Sequence, residues 1–380
     1  MNQSRRFLTF SLLVILGVAT VLIFNGKVFA QNRLFLSVNA TTGGVIPTEI
    51  GEVDLASGSF DYTSIFDVPR PPNGSFVSDL ARDLIVDEQG NFLVYNGTAT
   101  TSLLSADATG GSITQQLIPG LSTTANATFG GIARQGNTVF LSDQSTLRGG
   151  EPQGIVRVNL EDQSFDRIAT DLDVGLQGGP LDINISLDGT LLAVVQNSDR
   201  IYRYDSQSGQ LLNVIDPVER IGNIRGVAGA ADGTVFVSTL EGDVFQYDNN
   251  GNVLRSLEVT STFLSIGIRS SLHDIDIAPN GQIAIGTGDG DLILTTTALE
   301  SFEAVSISDQ IPFAASGSVF VAFATDFGAV PSVPEPSTGL IVAGLGLSWL
   351  LRRQKSNRRQ RPRFARCKHH EGMADQNCRS

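Results

Sequence analysis

Apolar and polar positions alternate with a period of two through the middle of the chain, in one arrangement met five times: a strand, a polar turn ending in glycine, and a second strand. The five segments are 83–94, 131–141, 182–192, 227–237 and 274–285, with turn glycines Gly90, Gly136, Gly189, Gly233 and Gly281. Glycine suits these turns because it takes positive φ without a Cβ clash. The anchors fall 46, 53, 44 and 48 residues apart. A second turn follows most of them after about 20 residues, at Gly110, Asp162-Gln163, Gly209 and Gly251, again between strands such as 201–205 and 253–257. Four strands in roughly 47 residues is the period of a propeller blade. A β-sandwich has no need of so regular a repeat, and no long 3.6-residue pattern predicts helices.

The ends of the repeat predict how the ring closes. One further period beyond Gly281 reaches Gly328, preceded by the strand 319–325 but followed at once by a proline linker. At the other end, 31–38 reads as the second strand of the same unit with its first strand absent, and 52–65, turning at Gly58, supplies the two outer strands. The expectation is an all-β, six-bladed β-propeller over 31–328, one blade shared between the two ends through pairing of 319–325 with 34–38. Seven blades remain an alternative, because the loop 69–78 and the long third repeat have room for further strands.

Both flanks carry apolar runs. Arg5 and Arg6 precede the run 7–24; Asn25-Gly26 then breaks the helix, and Val28-Phe29-Ala30 ends on a small residue before Gln31. Charge, apolar stretch and small-residue site in that order predict a signal peptide over 1–30, with an uncleaved anchor as the alternative. At the far end, a linker over 329–337 contains Pro334-Glu335-Pro336, an apolar helix over 338–351 follows, and a basic tail over 352–380 opens with Arg352, Arg353, Lys355, Arg358 and Arg359. Fourteen helical residues reach only about 21 Å against a hydrocarbon core of ~30 Å. Trp349 and the arginines can seat at the interface and shorten that gap. The positive cluster predicts a cytoplasmic tail, with the repeat region outside.

Val333-Pro334-Glu335-Pro336, the short Gly/Leu-rich helix and the arginine cluster together resemble the PEP-CTERM sorting family. The resemblance spans about 27 residues and does not reach the repeats. It implies export in a Gram-negative bacterium, temporary anchoring in the membrane, processing by an exosortase near Pro334, Glu335 and Pro336, release to the cell surface or beyond, and a link to extracellular polysaccharide and biofilm. The chain departs from the family in continuing past the arginines to Cys367-Lys368-His369-His370 and Cys378. Those residues are readable as metal ligands, and more simply as a disordered basic tail. The repeats themselves resemble NHL and lactonase-like propellers, in which Asp and an apolar pair precede a turn ending in Gly-Asn; that likeness implies a shape more than an activity.

Composition narrows the chemistry. Residues 31–333 hold 13 basic and 36 acidic residues, a net of −23, with no Lys, Cys, Met or Trp and a single histidine, His273. Such a surface excludes phosphate-neutralising nucleic-acid binding, and the composition excludes Schiff-base, thiol and Cys-zinc chemistry there. No Gly-x-Ser-x-Gly elbow is present. In a propeller the first strand of each blade lines the axial channel, so residues opening those strands meet. Counting seven back from each anchor gives Asp83, Phe129, Asp182, Gly226, Asp274 and Val321; eight back gives Arg82, Thr128, Leu181, Arg225, His273 and Phe320. Asp83, Asp182, Arg225, His273 and Asp274 are therefore the candidate ligand site at the channel mouth, with Ca2+ or another divalent cation as a candidate occupant. Aspartates in this place also bond backbone amides of the next blade, a purely structural role. Asp289-Gly290-Asp291 and 248–252 are similar to fragments of calcium loops but lack a full ligand set, and hairpin turns account for both. The expected function is a non-enzymatic binding protein of the envelope or matrix, its partners an exosortase, the membrane, and an extracellular polysaccharide or envelope protein; the alternative is a metal-assisted lactonase or hydrolase using the axial carboxylates.

Overall fold

Alternation of the kind just described leaves every second side chain free to pack on a neighbouring sheet, and the chain folds accordingly into 24 strands. The computed structural model describes residues 33–39, 48–68, 81–96, 102–118, 130–143, 154–169, 180–195, 199–218, 222–259, 271–311 and 318–325. No helix occurs among them, and so none long and apolar enough to cross a membrane. The segment 1–30, the motif Pro334-Glu335-Pro336, the stretch 338–351 and the tail 352–380 lie outside the described residues, as do Thr128, Phe129, Gly328 and the loop 69–78.

Four sheets are four-stranded antiparallel meanders. The first runs β8 (Ile132–Gln135), β9 (Thr138–Asp143), β10 (Gly154–Asn159) and β11 (Phe165–Ile168). Next come β12 (Pro180–Ile185), β13 (Thr190–Val195), β14 (Ile201–Asp205) and β15 (Leu211–Ile215), then β16 (Ile224–Gly229), β17 (Val235–Thr239), β18 (Asp243–Tyr247) and β19 (Val253–Glu258). The fourth holds β20 (Leu272–Ile277), β21 (Gln282–Thr287), β22 (Asp291–Thr296) and β23 (Glu303–Ser306). A fifth sheet has eight strands: β1 (Leu34–Asn39), β2 (Thr48–Val53), β3 (Tyr62–Asp67), β4 (Ala81–Asp87), β5 (Phe92–Asn96), β6 (Ser102–Ala106), β7 (Thr114–Leu117) and β24 (Val319–Thr325), in the order β3-β2-β1-β24-β4-β5-β6-β7. It divides naturally at β24–β4, a parallel contact of only Ala324↔Val86 and Thr325↔Asp87. On one side of that seam is the meander β4–β7. On the other, β24 pairs antiparallel with β1 from Leu34↔Phe323 to Val38↔Val319, so the two ends of the described chain complete one meander, as the terminal half-repeats predict.

Turn positions match the sequence reading: Gly58, Gly90, Gly110, Gly136, Gly189, Gly209, Gly233, Gly251 and Gly281 all have positive φ, and Gln163 does too. Six apolar clusters then join consecutive meanders. Phe35 and Ile50 pack with Leu84, Val86 and Phe92, the Phe35 and Phe92 rings meeting edge-on at 5.2 Å. Tyr95 and Leu103 pack with Val139 and Val156; Phe140 and Ile155 with Leu191 and Tyr204; Val194 and Ile201 with Val235 and Tyr247. Phe236 and Val244 meet Ile283 and Ile293, and Ala284 and Leu292 meet Leu36 and Val321, which returns to the starting meander. Each fully buried Leu, Ile, Val or Phe contributes about 1.5–3 kcal/mol, so these contacts rather than hydrogen bonds between sheets carry the assembly. β4, β8, β12, β16, β20 and β24 line a common axial channel, and the arrangement is that of a β-propeller.

Candidate functional site

Four of the channel strands carry a register slip at the same level: Ala81/Asp83 in β4, Pro180/Asp182 in β12, Ile224/Gly226 in β16 and Leu272/Asp274 in β20. The extra residues are Arg82, Leu181, Arg225 and His273, which is why the sequence count finds two adjacent rings of residues at the mouth. A bulge re-aims its side chains, so Leu181 and Asp182, and likewise His273 and Asp274, which ordinary pleating would send to opposite faces, both reach the axis. Asp83, Asp182, Arg225, His273 and Asp274 line one small cavity, together with Leu181, Gly131 and Phe320. The His273 and Phe320 rings are 6.4 Å apart. The cavity measures about 30 Å³, the share of a single water.

Two residues at this level differ from the sequence count. At the mouth itself Phe320 lines the cavity and Val321 does not; Val321 packs into the apolar cluster beside Leu36. Just before β8 the equivalent position is Gly131; Phe129, which the count gave, lies outside the described residues. There the hairpin closes tightly, with Gln135 directly opposite Thr138, whereas in β4 Val86 pairs with Phe92 across a longer turn. A fixed count back from the turn glycine therefore overshoots.

The level then reads Asp83, Gly131, Asp182, Gly226, Asp274, Phe320 around the axis, and the alternation has a mechanical basis. Each aspartate accepts with one oxygen from the next amide of its own strand: Leu84 to Asp83 at 2.7 Å, Ile183 to Asp182 at 2.8 Å, Ile275 to Asp274 at 2.8 Å. With the other it accepts from the following strand of the channel: Ile132 to Asp83 at 2.8 Å, Val227 to Asp182 at 2.8 Å, Val321 to Asp274 at 2.7 Å. The glycines serve two of the remaining three interfaces, and the third, β24–β4, is the backbone pairing already described. A Cβ on Gly131 would lie 2.5 Å from the Ile183 nitrogen, and one on Gly226 would lie 2.9 Å from the Ile275 nitrogen. These aspartates thus perform the structural role weighed against ligand binding.

Asp276, absent from the sequence candidates, repeats the device one step along β20. Its oxygens accept from Ile277 at 2.9 Å and from Phe323 of β24 at 2.8 Å. The run His273-Asp274-Ile275-Asp276-Ile277 carried the signal, since period two sends both acids to one face. Burial is the main force on all four carboxylates. It holds Asp83 and Asp182 well above the usual carboxylate range, with further upward pressure from neighbouring acids. It pushes Asp274 up to about 7 against the Val321 hydrogen bond, and Asp276 up to about 6 against those of Phe323 and Ile277. Burial likewise lowers Arg225, opposed by Glu241. Among the described residues no group of three or more His, Cys, Asp or Glu is arranged to hold a metal ion. The calcium-like fragments are turns: Asp248 accepts from Asn250 at 2.8 Å and Asn252 at 2.9 Å, and Gly290 has φ 90°.

On the other side of the aspartate level the channel opens into a chamber of about 790 Å³. Ile85, Ile185, Ile277 and Phe323 are among its lining residues, and Asn184 donates to Asp276 at 3.4 Å.

No protein-family model matches the chain, and no curated protein matches it. Solved structures do. A chain of a nidogen/laminin complex is 14% identical, covers 77% of this chain and 98% of its own length, and superposes with a TM-score of 0.55. A protein of unknown function from Bacteroides caccae gives 12%, 77%, 99% and 0.51. Virginiamycin B lyase from Staphylococcus aureus gives 14%, 74%, 94% and 0.47, too loose to bear on chemistry. Likenesses at these identities establish the fold alone, and on that ground the protein is a β-propeller.

Proposed function

We propose that this protein is an exported, six-bladed propeller, tethered for a time by 338–351, processed by an exosortase near Pro334-Glu335-Pro336, and acting outside the cytoplasm as a non-enzymatic binding protein. Six apolar clusters joining consecutive meanders support the blade number. The observation that carries the binding reading is the division of the channel: a water-sized mouth whose carboxylates are engaged with amides, and beyond it a chamber of about 790 Å³ whose lining mixes apolar side chains such as Ile85 and Ile185 with polar ones such as Arg134, Asn184 and Asp276. That size and lining suit a bound ligand, and the mouth suits scaffolding. The ligand is drawn from an extracellular polysaccharide or an envelope protein.

Two measurements test this. Deleting 334–380 should release the exported protein in soluble form; if truncated and full-length proteins fractionate alike, the tether is wrong. Ile185→Arg, at a half-buried side chain of the chamber lining, should abolish retention of the protein on purified extracellular matrix while its fold persists. Retention unchanged by Ile185→Arg, or lactone turnover lost on chelation, would overturn the binding reading.

A further inference from the structure

One position recurs on the third strand of three successive meanders: Arg157 of β10 lies opposite Phe140, Arg203 of β14 opposite Leu192, and Gln246 of β18 opposite Phe236. Two residues before each of those partners stands a threonine, Thr138, Thr190 or Thr234. In two of the meanders the long polar side chain turns inward and fills the gap. Arg203 is buried, donating to Thr190 Oγ1 at 3.2 Å, to Asp188 at 2.5 Å and to the Gly233 carbonyl at 3.2 Å. Gln246 is buried too, and donates to Thr234 Oγ1 at 3.1 Å. Arg157 instead is held towards the outer strand. Its partner there is Asp166, where Arg203 has Asn213 and Gln246 has Arg255. The Asp166 carboxylate takes Arg157 Nε at 2.9 Å and Nη2 at 2.6 Å, and a further bond runs from Arg157 to the Gln207 carbonyl. Between the meanders β8–β11 and β12–β15 this leaves a cleft of about 680 Å³.

We propose that this cleft is a subsite for a neutral polysaccharide chain. It rests on the binding reading above and narrows its ligand: Gln135 borders both the chamber and the cleft, so a chain seated in the first can continue into the second. The lining selects the chemistry. Arg157 and Asp166 neutralise one another, and the Ser206 hydroxyl is engaged with Gln135 at 2.5 Å and the Gly189 carbonyl at 3.0 Å. The Thr138 hydroxyl, the Asn159 amide nitrogen and the Gln207 side-chain amide make no hydrogen bond among the described residues. All three groups are uncharged, and between them they donate and accept, as the hydroxyls of a sugar require. An anionic chain would meet the net charge of −23 over 31–333, and Arg157, the one cation of the described lining, is already paired. A protein partner would find a single apolar side chain there, Phe165, where protein interfaces use several buried anchors. The volume lies within the roughly 300–1,000 Å³ of small-ligand sites. Chamber and cleft each hold the chain weakly, and retention needs both, since the second contact gains from the high effective concentration set by the first.

Affinity electrophoresis of the intact chain tests this, in gels carrying protein-free extracellular matrix polysaccharide separated into neutral and acidic fractions. The neutral fraction should retard the wild type and the acidic fraction should not. Thr138→Val with Gln207→Ala removes the hydroxyl and one amide but leaves the Arg157–Asp166 pair, and should raise the dissociation constant for the neutral fraction on the order of tenfold. Gln207→Ala alone, at an exposed side chain, should raise it less, and serves if the double variant fails to fold. Ile185→Arg separates the two sites. If it weakens retention and the cleft variants do not, the subsite is overturned and the chamber reading stands. If the cleft variants weaken retention and Ile185→Arg does not, the subsite stands and the chamber reading falls. Equal retardation by the acidic fraction, retention only on matrix whose protein has not been removed, or retardation by neither fraction overturns the proposal.

Discussion

Asp182 has two oxygens and two amide hydrogens to receive, Ile183 and Val227, and that match explains the residue better than any ligand. Asparagine is a poor replacement, because one end of its amide donates and would face an N–H. Asp182→Ala should cost about 1–3 kcal/mol, the usual cost of stranding buried donors, read as a lowered denaturation midpoint. Gly131→Ala should be as harmful for the opposite reason: its new Cβ would press on the Ile183 nitrogen and the Asp182 carboxyl, an overpacking penalty of about 1–3 kcal/mol. Should Gly131→Ala melt with the wild type, the close approach is not needed. Asp83, Asp182 and Asp274 were legible in the sequence because they open strands at a constant distance from a turn glycine. Gly131 was not, because its hairpin is shorter, and Asp276 was passed over because only one blade has an acid there. That the carboxylates bond amides of the next blade was weighed from the sequence, but which amide each one takes could not be read, since it belongs to a segment about one period away.

At the level of elements, Tyr62–Asp67 and Val253–Glu258 show the limits of alternation. As outer strands they expose both faces, so their patterns are weak, and turns located them instead. Strands such as β1 and β17 are buried at every position, which erases the alternation from the other direction. The contrast sets a prediction. Phe35→Ala in β1 removes a ring packed between two meanders and should cost about 3–5 kcal/mol. Leu212→Ala in β15, at a side chain 54% exposed, should stay within about 0.5 kcal/mol. Thermal melts of both variants decide it, and equal losses would contradict the packing described.

For the whole molecule, a net charge of −23 over 31–333 with no lysine means that long-range repulsion works against compactness. Raising salt from about 10 mM to 150 mM shortens the screening length from roughly 30 Å to 8 Å, and the melting temperature should climb by a few degrees. A flat response would show that local pairs such as Arg167–Asp143 and Arg203–Asp188 already neutralise the field. The shared meander has a mechanical consequence as well. The start of β1 lies beside the end of β24, so a load applied at Thr325 along the strand axis does not peel bonds one at a time. It shears the five β1 pairings and the two amide links to β20 together, so in that direction the closing strand resists a pull as one block.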